Sequence, residues 1–342
     1  AGIIAPHQKL SALLAVGILL LPATQYPATT WWSKPDLDRE YVLSLDVEHY
    51  FGNIQKMRKH LETDRQILWV TYYRNLYNAT HPSEINSPVS LSRNLLAWNQ
   101  PGTNGLILPV NPSASFLSIL FANELWFTLG DMTMAEHCAM LSMIFSPRNS
   151  GSRMIKRLAE INLVNGDDEA ALKYLRILDK TLLHKSWAEK RIPGQQTPQV
   201  KEWLEKKRRD IPTQDQLRSG NDAVTSLQNL VASNAGNLRA YEYLLCYHLL
   251  SKDLRSFVED YVPGKVSSPI FAEALLIHLA RQGNIRAEEL IKYQIPVEIA
   301  KEFADYTRLY EAKDTSLKEK YGKTYWFYYH FATTEPGKES KP

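Results

Sequence analysis

The sequence lacks the motifs that identify the common classes of enzyme. Its 342 residues contain no GxSxG, no Walker loop, no GxGxxG, no HExxH and no CxxC. Such motifs place nucleophiles, phosphate-binding amides or metal ligands at the spacing that their chemistry requires. We therefore expect no catalytic residue, no cofactor and no metal site in this chain.

Cysteine is scarce: the chain has only Cys138 and Cys246. They lie far apart and belong to no Cys/His cluster, which argues against a disulfide framework and against structural zinc. Each stands in an apolar helical context, so we interpret both as small buried hydrophobic residues. A disulfide between them would need an oxidising compartment and close approach in the fold.

Neither sign of charge dominates. The chain contains 40 Lys and Arg and 37 Asp and Glu, which gives a net charge of +3. This balance argues against nucleic-acid binding, which requires a strongly basic surface. The densest basic run, Lys206–Arg209, is offset by Glu202, Glu205 and Asp210. It predicts a solvated helix end, with contact to anionic lipid or to an acidic partner as the alternative.

Sustained two-residue alternation is absent, so no large sheet is expected. Apolar residues instead recur at three- and four-residue spacing, which predicts an all-α fold. Two irregular inserts rich in proline, glycine and asparagine interrupt this pattern, at about residues 80–114 and 191–215. The first insert should contain a short helix at about Leu91–Trp98.

Two helical segments align with each other around a Gly-Asp pair. In "FANELWFTLGDMTMAEHCAMLSMIFSP" and "IKRLAEINLVNGDDEAALKYLRILDKT", Gly130 and Gly166 stand 36 residues apart, and Ala135 and Ala171 follow five residues later. The tetratricopeptide repeat has a period of about 34 residues and a small residue where its two helices cross. The pair therefore resembles a degenerate tetratricopeptide array.

Other positions match the repeat unevenly, and further hairpins are weaker. Leu175 and Pro147 fit the pattern, whereas Ala139, Leu183 and the two first-helix isoleucines, Ile119 and Ile155, depart from it. Residues 39–62, 223–262 and 268–306 add three hairpins, and five hairpins can stack into a continuous solenoid core.

The acidic trio Asp167-Asp168-Glu169 lies at the corner of the second aligned hairpin. Gly166 supplies the positive φ that ends the first helix, and Asp167 is placed to cap the second helix. Asp168 and Glu169 then lie in the first turn, where the helix dipole favours negative charge. A metal site is the weaker interpretation, because adjacent residues diverge around a helix and no further ligand stands nearby.

The remaining polar candidates are isolated. Asp46 and His49 could share a helix face, and the Glu136-His137 pair and His248 each stand alone on a helical pattern. We interpret all of them as surface or half-buried residues rather than as catalytic groups.

The aromatic tail "TYWFYYHF" suits a terminal helix that seals the last hairpin. A site for a glycan or a peptide is the alternative use of these rings. A glycan could also bind at the loop from Trp98 to Asn111.

The run from Leu10 to Ala23 contains only one polar residue, Ser11. Extended to Trp31, it is long enough to span a membrane, and Lys9 would then place the rest of the chain outside the cytoplasm. A signal peptide and a buried core helix are the alternatives for residues 10–31. The chain begins with alanine, which suggests a fragment or a processed product. We assign residues 1–35 to a membrane segment with stalk and residues 36–342 to the helical-repeat domain.

The order of these features resembles the C-terminal part of an uncharacterised bacterial family of polytopic membrane proteins. The resemblance is carried by "GTNGLIL" at 102–108, "ANELWFTLG" at 122–130, "IKRLAEINLVNGDDEAALKYLRILDKTL" at 155–182, "YEYLLCYHLLSKDL" at 241–254 and "YGKTYWFYYHF" at 321–331. It implies a tetratricopeptide-like domain on the extracytoplasmic, periplasmic side of a bacterial cell membrane. It implies no particular activity.

Three functions are compatible with these observations. We expect a membrane-anchored scaffold that binds a partner protein. The alternatives are an accessory domain of a membrane enzyme or transporter, whose active site lies upstream, and a glycan-binding module.

Overall fold

A computed structural model describes residues 36–81, 91–98, 102–110, 114–146, 151–213 and 222–333. All regular secondary structure in these ranges is helical and none of it is a strand, as the hydrophobic periodicity predicts. The predicted membrane segment at 10–31 lies outside the described residues. Among the described helices, none combines the length and the hydropathy needed to cross a bilayer.

The described ranges contain eighteen α-helices. They are α1 (Leu37–Tyr50), α2 (Ile54–Leu61), α3 (Leu68–Thr80), α4 (Leu95–Trp98), α5 (Phe116–Leu129), α6 (Met132–Phe145), α7 (Ser152–Asn165), α8 (Asp168–Asp179), α9 (Lys185–Glu189), α10 (Pro198–Arg208), α11 (Ala223–Ser233), α12 (Leu238–Leu250), α13 (Leu254–Asp260), α14 (Pro269–Arg281), α15 (Ala287–Lys292), α16 (Val297–Glu311), α17 (Leu317–Tyr321) and α18 (Tyr325–Phe331). A 3₁₀ turn at Ser92–Asn94 leads into α4, so the short helix expected in the first insert is confirmed.

The chain forms two compact units that divide between Asp64 and Arg65. The described part of the first unit is the pair α1 and α2, whose corner contains Gly52 at a φ of +69°. The hairpin predicted at residues 39–62 is therefore confirmed. Val42 and Leu45 on α1 are fully buried.

In the second unit, α5 packs on α6 and α7 packs on α8, and α6 also packs on α7. Ala139 of α6 lies in one buried cluster with Met154 and Leu158 of α7, and Tyr174 of α8 packs against the same cluster. Ala139 departs from the large residue of the repeat pattern. Its small side chain leaves room for the methionine and leucine of the next helix.

Both aligned corners have the predicted conformation. Gly130 ends α5 at a φ of +89°, and Gly166 ends α7 at a φ of +81°. Ala135 and Ala171, five residues later, have no exposed surface. Burial of a small residue at this position is what close crossing of two helices requires.

Within the second insert, predicted to be irregular, the structure contains the eleven-residue helix α10. Pro198 occupies the first helical position, where its missing N–H costs no hydrogen bond. Val200 and Leu204, four residues apart, are buried, and α10 packs on α7. The helix was not predicted because the prolines on either side of it favoured an irregular segment.

The aromatic tail forms α18, which packs on α14. The side chains of Tyr325, Trp326 and Tyr328 are buried. Tyr325 donates its hydroxyl to the Leu249 carbonyl at 2.9 Å, and the Trp326 Nε1–H donates to the Glu273 carbonyl at 2.9 Å. The predicted role of the tail in covering the last helices is consistent with these contacts.

Candidate functional site

The basic run at the end of α10 is only partly solvated. Arg208 donates from Nε to the Val164 carbonyl at 3.0 Å and from Nη2 to the Leu163 carbonyl at 2.7 Å. Lys207 donates to the Phe127 carbonyl at 3.4 Å. These carbonyls lie in the last turns of α7 and α5, where intrahelical donors are missing and the dipole is negative. Lys206, Arg208 and Arg209 are exposed, as the prediction of a solvated helix end requires, whereas Lys207 is half-buried.

Lys207 is half-buried, with its ammonium 4.5 Å from the centre of the Phe127 ring. Burial, together with the positive charges of Arg157 and Arg239, lowers the pKa of Lys207 to about 8. The cation is therefore held in a crowded, positively charged environment.

Starting at Phe127, aromatic rings and cationic side chains contact one another in space, and we name this group the cation–ring stack. It consists of Phe127, Trp203, Arg191, Trp187 and Lys156. The rings of Phe127 and Trp203 stack with centres 6.3 Å apart. The Arg191 guanidinium carbon lies 5.9 Å from the Trp203 ring centre and 4.2 Å from that of Trp187. The Lys156 ammonium lies 5.2 Å from the Trp187 ring centre.

At the Phe127 end of the stack, the guanidinium of Arg157 is fully paired. The Arg157 guanidinium lies 3.9 Å from the Phe127 ring centre. Its nitrogens donate to Glu124 at 2.6 Å, to Glu160 at 2.8 Å and to Asn123 at 2.7 Å. All three nitrogens of this guanidinium therefore donate within the protein, which indicates a structural role.

At the other end, Arg191 is half-buried and has no carboxylate within ion-pair distance among the described residues. Its Nη1 donates to the Trp187 carbonyl at 3.2 Å, whereas its Nε is buried and has no hydrogen-bond partner in the described part of the chain. Burial lowers the pKa of Arg191. Buried polar groups without partners are uncommon in folded proteins, so this nitrogen requires an explanation.

The pKa of Lys156 is perturbed as well. Burial lowers the pKa of Lys156 and outweighs the opposite effect of Glu160, while Arg157 and Arg191 lower this pKa further. Glu160 is already bonded to Arg157.

Next to the stack in sequence is an ordered turn that we name the leucine turn, Leu182-Leu183. These side chains are 97% and 85% exposed. The Thr181 hydroxyl donates to the Leu178 carbonyl at 2.7 Å and accepts from the His184 amide at 3.2 Å, which fixes the turn. Helix α9, with Trp187 on it, follows directly. An ordered turn thus holds two apolar side chains in water.

The acidic trio has the predicted capping geometry. Asp167 accepts the Ala170 amide at 2.9 Å, and Asp168 and Glu169 are exposed in the first turn of α8. The capping interpretation is confirmed. In the described ranges, no cluster of three or more His, Cys, Asp or Glu side chains is arranged to hold a metal ion.

The isolated histidines do not come together in one site. His248 is buried and its Nε2 lies 2.9 Å from the Asp260 carboxylate, a partner that sequence analysis did not find. Asp46 is buried and His49 half-buried on α1, and the Glu136-His137 pair is half-buried to exposed on α6.

Cys138 and Cys246 are both buried with free thiols, as their apolar contexts predict. Burial raises the pKa of Cys138 to about 12 and that of Cys246 well above its usual value. The thiols therefore stay protonated, which makes them poor nucleophiles.

The accessible rings of the tail line an open groove of about 570 Å³ between α16, α17 and α18. Tyr310 and Phe331 line it and are 40% and 49% exposed. Glycan binding by the tail stays a prediction for this groove, and glycan binding at the loop from Trp98 to Asn111 stays a prediction as well.

Sequence analysis singled out no member of the cation–ring stack. One signal was present, because Trp187 and Arg191 stand four residues apart, the spacing of one turn of helix, although Arg191 lies in the turn just after α9. The approach of Lys156 and Trp203 from separate helices gave no signal in the sequence.

The described ranges thus define an all-α protein of packed helical hairpins, with a cation–ring stack beside an exposed leucine turn. The chain belongs to a family of unknown function (DUF6057), whose model matches residues 3–332. No curated protein and no solved structure matches it. The predicted resemblance to an uncharacterised family is confirmed at this level.

Proposed function

We propose that this chain is a helical-repeat interaction module that binds a partner protein through the leucine turn and α9. The observation that carries the proposal is the exposure of Leu182 and Leu183, at 97% and 85%, on a turn fixed by hydrogen bonds. Burying one leucine side chain contributes about 2 kcal/mol, so a partner that covers both gains roughly 4 kcal/mol. Because the turn is already ordered, little conformational entropy is lost on binding.

The helical hairpins support a tetratricopeptide-like architecture for the module. The corners at Gly130 and Gly166 have the same conformation, and Ala135 and Ala171 are buried at equivalent places. Repeat proteins of this kind present extended surfaces to partners because each hairpin packs mainly on its neighbours.

We also propose that residues 10–31 attach the chain to a bacterial membrane and that the helical domain lies on its extracytoplasmic side. The support is the apolar run from Leu10 to Ala23 with Lys9 before it. Protease treatment of intact and of permeabilised cells tests this: cleavage of the helical domain only after permeabilisation of the inner membrane would contradict it.

Co-purification of the full chain from detergent-solubilised native cells tests the interaction. The wild-type protein is compared with a Leu182→Ser/Leu183→Ser variant and with an Ile291→Ser control, which changes another exposed residue on α15, 78% exposed. We expect a discrete protein to co-purify with the wild type and the control and to fall at least about tenfold in the leucine variant, as the loss of roughly 1.4 kcal/mol or more implies.

All three proteins should keep the same thermal stability, because the substituted side chains are exposed. Equal recovery of every co-purifying protein with the leucine variant and the wild type would overturn the proposed surface.

A further inference from the structure

The exposed side of α8 points to the chemistry of the partner. Resting on the proposed function, we propose that this side of α8 and the leucine turn together bind an acidic amphipathic segment of the partner protein. The apolar side chains of that segment cover the leucines, and its carboxylates pair with cations of α8.

Four side chains form the surface that we name the basic face of α8: Lys173, Arg176, Ile177 and Lys180. With 3.6 residues per helical turn, they lie within an arc of about 100°. All four are exposed, and the buried residues of α8 lie on its opposite side. Ile177 is 48% exposed among the three cations. The basic face is therefore a surface that the described part of the chain leaves open to solvent.

No carboxylate of the described residues pairs with the two cations nearest the leucine turn. Arg176 and Lys180 form no ion pair in these ranges, whereas the Lys173 ammonium lies 3.6 Å from Glu169. The negative end of the α8 dipole favours both cations, but it does not account for the exposed aliphatic side chain of Ile177 beside them. A partner that brings carboxylates and apolar groups together accounts for both features.

Positive charge is concentrated around this surface. From Lys173 to Lys190 the chain contains five Lys or Arg and two Asp or Glu, which gives a net charge of +3. The whole chain has the same net charge of +3, so the charges of all other residues balance. A local excess of one sign attracts a partner of the opposite sign and repels a partner of the same sign.

The leucine turn continues directly from the basic face. The Thr181 amide and hydroxyl both donate to the Leu178 carbonyl, at 2.9 and 2.7 Å, so the end of α8 leads into the turn without a break. Ile177, Leu182 and Leu183 thus provide three exposed aliphatic side chains beside the cations. A nucleic acid would meet the cations with phosphates but has no aliphatic side chains to cover the leucines. An amphipathic acidic peptide satisfies both.

Fluorescence anisotropy with the full chain in detergent tests the proposal, with detergent alone as the blank. The probes are two fluorescein-labelled peptides, one that repeats Leu-Glu-Glu-Leu-Leu-Glu-Glu and one with glutamine in place of every glutamate. We expect the acidic peptide to bind at least about tenfold more tightly, because opposite charges across an interface favour association. Added salt should reduce this difference, since the cations are exposed to solvent.

Charge reversal locates the binding. Arg176→Glu/Lys180→Glu should weaken binding of the acidic peptide at least about tenfold, because it brings like charges together. Lys56→Glu/Lys59→Glu is the matched control, since both lysines are exposed on α2 and the net charge changes by the same amount. The control should change the affinity less than about twofold, because salt screens distant charges. Both variants should keep the thermal stability of the wild type, which shows that they fold.

The leucines test the apolar part of the surface. Leu182→Ser/Leu183→Ser should weaken binding of the two peptides by a similar factor, because it removes apolar surface that both peptides contact. Unchanged affinity for both peptides in this variant would overturn the combined surface.

Three further results would overturn the inference: equal affinity for the two peptides, unchanged affinity in the Arg176→Glu/Lys180→Glu variant, or an equal loss in the matched control. Displacement of the acidic peptide by micelles doped with an anionic phospholipid, and not by micelles doped with a zwitterionic one, would indicate a lipid surface and would overturn it as well. Co-purification separates this inference from the proposed function. A native partner that is lost in the leucine variant but kept in the charge-reversal variant rejects the acidic segment and leaves the interaction module standing.

Discussion

The backbone carbonyl of Asp210 occupies the space that a Cβ atom at Gly130 would need. Asn237 stabilises this contact, because its side-chain amide donates to the Asp210 carbonyl at 2.8 Å and to the Leu129 carbonyl at 2.7 Å. The residues just after α10 therefore pack on the corner between α5 and α6. This contact joins the second insert to the first aligned hairpin.

Gly130→Ala should destabilise the protein far more than Gly166→Ala. Both glycines have a left-handed φ, which costs an alanine about 1 kcal/mol. A Cβ at Gly166 meets nothing within 4 Å, whereas at Gly130 it meets backbone. We expect a loss of about 1 kcal/mol at 166 and of about 3 kcal/mol or more at 130, measured by urea unfolding. Equal losses would show that the contact with Asp210 can relax freely.

Asp167→Ala should lower the free energy of unfolding by about 1 kcal/mol, because it removes the acceptor for the Ala170 amide. Asp168→Ala is the control, since this carboxylate lies in the first turn of α8 and is exposed. It should cost less than about 0.5 kcal/mol. Thermal unfolding of both variants distinguishes the cap from a general effect of charge, and a larger loss at Asp168 would contradict the capping role.

Arg208→Ala should destabilise the protein by roughly 1 kcal/mol, because the Val164 carbonyl loses its side-chain donor and the Leu163 carbonyl keeps only the Gly166 amide at 3.3 Å. Arg209→Ala changes the neighbouring exposed arginine and should stay within about 0.5 kcal/mol of the wild type. Chemical unfolding measures both. Similar small effects at the two positions would show that the hydrogen bonds of Arg208 contribute little to stability.

Stability should depend on pH through Glu273, which accepts the Tyr325 amide at the start of α18. Burial and, to a smaller extent, the negative charge of Glu302 raise the pKa of Glu273, whereas the hydrogen bond from the Tyr325 amide lowers it. The resulting pKa is about 7. The folded state thus holds a proton more tightly than the unfolded state. The stability from this proton is complete below about pH 4.5 and is lost as the pH rises through 7.

Compared with Glu273→Gln, the wild type should lose up to about 3 kcal/mol of unfolding free energy between pH 5 and pH 8. Urea unfolding of both proteins at the two pH values gives this difference directly. Parallel pH dependence of the two proteins would show that Glu273 keeps an ordinary pKa.

Features that depend on neighbouring residues were predictable from the sequence. The Gly166-Asp167 corner follows from the conformational freedom of glycine and the short side chain of aspartate, and both act within one turn. Burial of Ala171 follows from its fixed distance to that corner. The tail could be predicted because Tyr325, Trp326 and Tyr328 are large rings that an exposed terminus would leave in water.

The candidate site was not predictable in the same way. Arg191 belongs to the second insert, Lys156 to α7 and Trp203 to α10, and only the tertiary fold brings them together. The polar flanks of Trp203 and the prolines around α10 favoured an irregular insert instead. The hydrogen bonds of Arg208 were not predictable for the same reason, because the carbonyls that accept them lie on another helix.

Site-specific photo-crosslinking tests the central claim, that the leucine turn is a protein-binding surface. A photoreactive phenylalanine derivative is placed at Leu183 in the full chain in native cells, and at Ile291 as a control of similar exposure. The account predicts one discrete protein adduct from position 183 and no such adduct from position 291. The absence of an adduct at 183, or the same adduct from both positions, would contradict it.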